Sequence, residues 1–311
     1  FLIGRSYELF YNRGKYKTQA DPQRSRNFIP TLGYPASNNM LTSGFGSTKL
    51  EPAIKIGRLP VDNTAEIRDY LNKMQAYENP ANQYQEWQKI VMHLAGGATD
   101  LQSKIITDNH KFLEGSVIKD PFAGKTVTYS RTSIGTVDAT LTLSLVERIT
   151  QGVNLVTFLG HGSSQVTDID MGDVTKYANI GRYPIFYFNG CQIGNPCRPI
   201  PLNALAFPEK LMKGQQKGAI AFLAQSHLSE LYTVAGQMNA FYQAYFDTSN
   251  VERTIGDVMQ KHINKWQQPV NLLNKAHCRQ LFLQGDPALR VNIMPKPDLA
   301  VIRSSIFLDP P

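Results

Sequence analysis

The chain has 311 residues, enough for a large core in one big domain or two small ones, and 42% are hydrophobic, which excludes a disordered protein. Its net charge of +7 is mild and its basic residues are scattered apart from a loose cluster between Arg5 and Arg26, so no basic stripe interleaved with aromatics marks a nucleic-acid groove. No apolar segment approaches the ~20 residues of a membrane span, and three cysteines, Cys191, Cys197 and Cys278, do not make a disulfide framework.

In chain order, Phe1 to Gly4 reads as the remnant of a strand. With no initiator Met and no signal peptide ahead of it, the chain reads as a processed piece of something longer. Residues 5–52, rich in Asn, Pro, Gly and Ser, form a loop segment long enough to be functional. Ala53 to Arg58 reads as a strand. Thr64 is a candidate N-cap of a helix that carries Ile67 and Leu71 along one face and ends before Asn79-Pro80. Lys89 to Leu94 is the next strand, closed by Gly96-Gly97. Asp100 to Phe112 has helical spacing at Leu101, Ile105 and Phe112. Thr126 to Tyr129 is a short strand and Ala139 to Ile149 a helix. Beyond Cys197, Pro199 and Pro201 break the chain. Leu202 to Met212 is helical, Gly218 to Ala224 is a buried strand, and Leu228 to Phe246, Val251 to Trp266 and Leu272 to Phe282 read as helices. This alternation predicts an α/β fold with a mostly parallel sheet and helices on both faces. Residues 297–311 change character, alternating apolar and polar residues before a final Pro-Pro.

The chemistry concentrates between Val153 and Cys197. Leu155 to Leu159 is an apolar, β-branched and aromatic run ending in Gly160-His161-Gly162. Pro184 to Phe188 is another, ending in Asn189-Gly190-Cys191. Both are too short for helices and read as buried strands, with a short helical pattern around Asp173 to Tyr177 between them. A strand, a crossover and a strand make a parallel pair, so both strands end at one edge of the sheet, where ligands gather in open α/β folds. That edge presents an imidazole and a thiol. The flanking glycines leave the strands abruptly and free nearby N–H groups. A thiol nucleophile needs these three things: a base, oxyanion donors and room for a peptide. Cys191 and His161 are therefore the candidate catalytic pair, with His161 assisting the thiol and then protonating the departing amine. The alternative for Cys191 alone is a small buried hydrophobe. His93, inside an apolar strand, is expected to be a hydrogen-bonded core residue. His110 and His262, in polar helix patterns, are expected to be solvated, and His277 to pack on its helix. His227 follows the Gly218–Ala224 strand at the same sheet edge and is a candidate for lining the substrate site.

Gly160-His161-Gly162-Ser163 after an apolar strand, then Pro184-x6-Cys191 with Gly194 three residues past the cysteine, resembles the gingipain-type cysteine peptidases, a family that includes the sortase of the type IX secretion system. The resemblance extends along the chain. Phe1-Leu2-Ile3-Gly4 is similar to the family's leading strand, and Ile29-Pro30-Thr31 with Pro35-Ala36-Ser37 to its "PT…S-D" segment. Ile56-Gly57-Arg58-Leu59-Pro60 before a helix from Glu66 to Glu78 resembles its IGR strand and following helix. Gly285-Asp286-Pro287-Ala288-Leu289-Arg290-Val291 resembles its GDP-x-L-x-V ending. The resemblance implies a caspase-like three-layer fold and a peptidase domain over residues 1–296. Residues 297–311 would then begin an immunoglobulin-like domain, or be a tail on the main domain. It also implies Gly162 and Cys191 N–H groups as oxyanion donors, and a substrate pocket bordered by Gln225 to Leu231 with Asn38 at its floor. The implied substrate is a polypeptide, the implied partners are other domains of a longer chain or a secretion assembly, and the implied location is extracellular or on a bacterial cell surface. No cofactor is required. Structural calcium is implied by the family, and Asp168, Asp170 and Asp173 form the acidic cluster that could take it, the alternative being a solvated acidic loop.

Two departures from the family pattern stand out. An acidic residue that supports the catalytic histidine is expected after Gly4, where this chain has Arg5. Arginine-specific members carry Asp after the Ser of the "PT…S-D" segment, where Ser37 is followed by Asn38. An amide does not pair with a buried guanidinium, so Asn38 predicts preference for a neutral or small residue. A cysteine endopeptidase or transpeptidase is the leading reading. A catalytically impaired pseudopeptidase serving as a binding module and a structural surface component are the alternatives.

Overall fold

A computed structural model describes residues 1–8, 26–45, 50–79, 81, 85–131, 138–198, 205–247, 249, 253–267 and 271–291. Residues 297–311, and with them the expected following domain or tail, lie outside these, as do Pro199, Pro201 and Val251. The strands are β1 (Leu2–Ile3), β2 (Arg58–Leu59), β3 (Ile90–Ala95), β4 (Lys125–Ser130), β5 (Leu155–Leu159), β6 (Ile185–Asn189), β7 (Ala221–Gln225) and β8 (Leu281–Gln284). They form one eight-stranded sheet in the order β1-β2-β8-β7-β6-β5-β3-β4. The five from β4 to β7 are mutually parallel. β8 is antiparallel to β7, and β1 and β2 run with β8. The helices are α1 (Thr64–Tyr77), α2 (Asp100–Val117), α3 (Ala139–Gln151), α4 (Phe207–Lys213), α5 (Leu231–Tyr245), α6 (Ile255–Trp266) and α7 (Leu272–Gln280).

β5, β6 and β7 are buried along their whole length. Strands covered on both faces read as continuous apolar runs, which is how they appear in the sequence. Alternation along β6 divides the core. Phe188 packs toward Phe158 and Phe207 of α4, at ring distances of 5.1 and 5.7 Å. Tyr187 points the other way and stacks on Phe241 of α5 at 4.0 Å. Helices therefore cover both faces of a mostly parallel sheet, as an α/β fold requires.

Several expectations are corrected. Leu272 to Phe282 is not one helix: α7 ends at Gln280 and Leu281–Gln284 is a strand. The helix passes straight into the apolar Leu-Phe-Leu run with no Gly or Pro between, so no turn signal marks the change. The Ala53–Arg58 strand contracts to Arg58–Leu59. On α2 the buried stripe is Ile106, His110, Leu113 and Val117, while Leu101 and Phe112 face solvent. A histidine completes the stripe, so counting only apolar residues selects the wrong face. His110 is consequently buried, stacked on His93 at 4.8 Å, and His262 is buried on α6 rather than solvated. Burial pushes His93 down to about 4 and His262 to about 3, so both are neutral core residues. His93 Nε2 lies 2.7 Å from the Tyr242 hydroxyl.

The N-cap of α1 is Asn63, which accepts the Glu66 N–H at 3.0 Å, and Leu71 is exposed. Its buried face includes Lys73, whose ammonium donates to the carbonyls of Leu211, Met212, Lys217 and Ala219 at 3.2, 2.7, 3.3 and 2.9 Å. Leu211 and Met212 lie in the last turn of α4, where a cation is favoured, and Lys217 and Ala219 lie beyond it. Burial nevertheless lowers Lys73 from 10.5 to about 7. Between those values the unfolded chain holds a proton that the folded chain releases. Stability is therefore lowest below about pH 7 and rises toward pH 10.5, by up to ~1.4 kcal/mol per pH unit. Urea titrations at pH 7 to 9.5 should show this rise in the native protein and a flatter profile in Lys73→Met. Parallel profiles would refute it.

Arg5 ties the segment before α1 to α4. Its guanidinium is buried and donates twice to Asp62, at 2.9 and 3.0 Å, and twice to Glu209 of α4, at 2.9 and 2.7 Å. Arg26 and Lys213 also pair with Asp62. The side chain that stands where a supporting acid was expected is turned into this ion network.

Candidate active site

Leu159 and Asn189 are partners across β5 and β6, and the Gly160 N–H donates to the Asn189 carbonyl at 3.1 Å. His161 and Cys191 each lie two residues beyond that pair. The imidazole is exposed and the thiol half-buried. A Cβ on Gly162 or Gly190 would come within 2.6 or 2.7 Å of the Ile193 side chain. Only glycine lets the two strand exits close on this buried residue. Gln192, next to the cysteine, has φ +60°, a left-handed backbone that costs a non-glycine residue about 1 kcal/mol or more.

Each exit is fastened separately. On the histidine side, Asp168 N–H donates to the His161 carbonyl at 3.0 Å. The Asp168 carboxylate accepts the His161 N–H at 3.2 Å and the Gly97 N–H at 2.7 Å, with Arg131 3.9 Å away. The imidazole Nε2 lies 2.9 Å from Gln102 Oε1. On the cysteine side, the thiol donates to the Ser229 carbonyl at 3.5 Å and its sulfur accepts the Ser229 N–H at 3.4 Å. Gln192 N–H donates to the His227 carbonyl at 2.9 Å. The amides of Gly162 and Cys191 have no hydrogen-bond partner among the described residues. Burial pushes the other two thiols, Cys197 and Cys278, up to about 11 and about 12, so neither is a nucleophile at neutral pH.

The remaining candidates divide. The His227 ring stands edge-on to Tyr34 at 5.8 Å, and Ser226 Oγ donates to the Ala36 carbonyl at 2.8 Å, so the 34–39 segment lies beside the loop that holds Cys191. Asn38 itself is buried, and its Oδ1 accepts from Arg58 at 3.2 and 3.1 Å. Arg58 otherwise donates to the carbonyls of Gly4, Ile29 and Pro30. Gln225 is buried beneath the sheet edge, donating to Gln237 Oε1 at 2.9 Å. The three acidic residues do not converge. Asp168 clamps the histidine loop, Asp170 accepts the Gly172 N–H at 2.9 Å, and Asp173 accepts the Thr175 N–H at 2.9 Å. No cluster of three metal-ligating side chains occurs among the described residues. These carboxylates do not fit a calcium site.

Sequence reasoning missed Gln102, Ser229 and the clamping role of Asp168. Gln102 carried a signal. Thr99-Asp100-Leu101-Gln102 has the spacing of a helix-capping box, and β3, which precedes it, pairs with β5 up to Ala95 and Leu159. The start of α2 therefore had to fall next to His161.

The chain matches the family model of Peptidase family C25 over residues 2–292. Among solved structures it is similar to the Arg-specific cysteine proteinase gingipain R (RgpB), with 16% identity, TM-score 0.69, and coverage of 85% of this chain and 61% of that one. It is also similar to the complex of Porphyromonas gingivalis RgpB pro- and mature domains, with 16% identity, TM-score 0.70 and coverage of 85% and 63%. A further structure described as a protease matches at 14% identity and TM-score 0.63, over 82% of this chain and 59% of that one. No curated protein matches in sequence. The chain belongs to peptidase family C25, the gingipain family of cysteine peptidases. It spans about three fifths of the length of the gingipain structures it resembles.

Proposed function

We propose that this chain is a gingipain-type cysteine endopeptidase or transpeptidase that works through a Cys191–His161 dyad. The observation that carries the reading is the Leu159–Asn189 pairing, which brings the imidazole and the thiol to adjacent exits of parallel strands. In this reaction the thiol proton passes to the imidazole while the sulfur electron pair bonds to the scissile carbonyl carbon. The unpartnered N–H groups of Gly162 and Cys191 receive the oxyanion. The C–N bond then breaks, the imidazole returns the proton to the leaving amine, and water or an amine resolves the thioester.

The substrate in this reading is a polypeptide, met outside the cell or at its surface, with a sortase-like role in type IX secretion as the narrowest form. Other domains of a longer chain are the proposed partners. His227, Gln225 and Asn38 belong to the substrate side. Arg58 already occupies the Asn38 oxygen, so a substrate guanidinium approaching Asn38 would meet a cation. Preference for a neutral residue before the scissile bond follows.

The pseudopeptidase reading has one observation in its favour: thiol and imidazole are hydrogen-bonded to Ser229 and Gln102. A thiol-directed peptide probe separates the two. Labelling of the native protein and of Cys197→Ala, lost in Cys191→Ala, is the expected result. A folded native protein that takes no label supports the second reading. Probes ending in Asn or Ala should label faster than those ending in Arg or Lys, and strong Arg preference would contradict the role given to Asn38.

A further inference from the structure

Gln102 is the third residue of α2, and its N–H donates to the side chain of the N-cap Thr99 at 3.2 Å. Its Oε1 accepts the Ala98 N–H at 2.9 Å. A backbone N–H only donates, so the amide atom that faces it is the oxygen, and the orientation of this carboxamide follows from its partner. The same oxygen lies 2.9 Å from His161 Nε2. A carboxamide oxygen only accepts, so Nε2 carries a hydrogen and, in the neutral ring, Nδ1 carries the lone pair.

We infer that Gln102 is the positioning residue of the site, holding the His161 imidazole as its Nε2–H tautomer through a neutral amide and leaving Nδ1 to take the Cys191 proton. The inference rests on the peptidase reading of His161 and Cys191. It resolves the missing support that Arg5 leaves. Among the described residues no carboxylate touches the ring. The nearby Asp168 turns its Oδ2 to the His161 and Gly97 backbone N–H groups, with Arg131 3.9 Å from that oxygen, and its buried Oδ1 has no hydrogen-bond partner among the described residues. The thiol proton moves to Nδ1, the sulfur pair forms the bond to carbon, and Nδ1 later gives the proton to the amine. The Nε2–H to Oε1 bond persists through both transfers. A carboxylate in this place would favour the imidazolium, whereas an amide orients the ring without adding charge.

The first test does not depend on turnover. In a Cys191→Ala protein with 15N-labelled histidine, NMR should find His161 protonated on Nε2 with Nδ1 unprotonated. The further Gln102→Ala change should give a mixture of tautomers. A ring protonated on Nδ1, or a tautomer ratio indifferent to Gln102→Ala, overturns the inference whether or not the protein cleaves peptides. The second test uses the active protein. Gln102→Ala should lower kcat by about 10- to 100-fold with little change in KM. Gln102→Glu should restore much of kcat and move the acid limb of kcat/KM upward by about one pH unit. A residue that only stabilised α2 would alter melting and leave the limb in place. If the native protein neither cleaves nor labels, the peptidase reading fails while the tautomer result still stands or falls alone.

Discussion

A His161→Ala variant is expected to lose about 10²- to 10⁴-fold in kcat/KM, the range that a positioned acid–base group contributes. Without it the thiol must ionise unaided and the departing amine must leave without a proton. The loss should fall on kcat, because an exposed imidazole at a strand exit contributes little to ground-state binding. Folding should be untouched. The His161 loop is held by its backbone through Asp168, and those hydrogen bonds survive removal of the ring. Steady-state cleavage of a peptide, with circular dichroism as the folding control, decides the matter. Retention of more than a tenth of native activity would remove His161 from the reaction.

An Arg5→Met substitution is expected to cost ~3–5 kcal/mol of folding stability, because it strands the buried Glu209 carboxylate. Arg5 serves two carboxylates at once, and Glu209 is 1% exposed. Lys213 approaches Glu209 only at 3.8 Å, so it is a poor substitute. Arg5→Lys should recover part of the loss, since an ammonium keeps the charge but does not span both carboxylates bidentately. Urea denaturation at pH 7 measures all three proteins, and a change under ~1 kcal/mol for Arg5→Met would show that the network is dispensable. The network also sets an acid limit. Burial alone would raise Asp62, but hydrogen bonds from Arg26, Arg5 and Lys213 outweigh it and hold the carboxyl well below its ordinary range. The stability it contributes is complete above an unfolded pKa near 4 and is lost progressively as the pH falls below it.

The central pair was legible because it obeys simple rules. Two short apolar runs, each closed by Gly and a reactive residue and joined by a crossover, could hardly be other than neighbouring parallel strands. The family resemblance extended that reading to most of the chain. What escaped notice was polar. His110, Lys73 and Arg5 look like surface residues by type, yet each is buried beside partners far away in sequence, which composition does not reveal. β8 escaped because α7 runs into it without a turn. Gln102 escaped because its partner lies 59 positions away. A glutamine bonded to the backbone just before its own helix is ordinarily explained by that helix, so nothing local asks for a second role.

The separate fastening of the two strand exits has a mechanical consequence. Asp168 and Gln102 tie the nitrogen to the β3–α2 side of the molecule, while Ser229 and Gln192 tie the sulfur to the loop after β7. Between these anchorages runs the β5–β6 ladder, whose pitch is about 4.8 Å. In the proposed reaction the imidazole nitrogen and the thiol sulfur would work across a seam whose width this ladder sets. An inhibitor wedged into that seam could disable the protein without bonding to either atom, simply by holding its two banks apart.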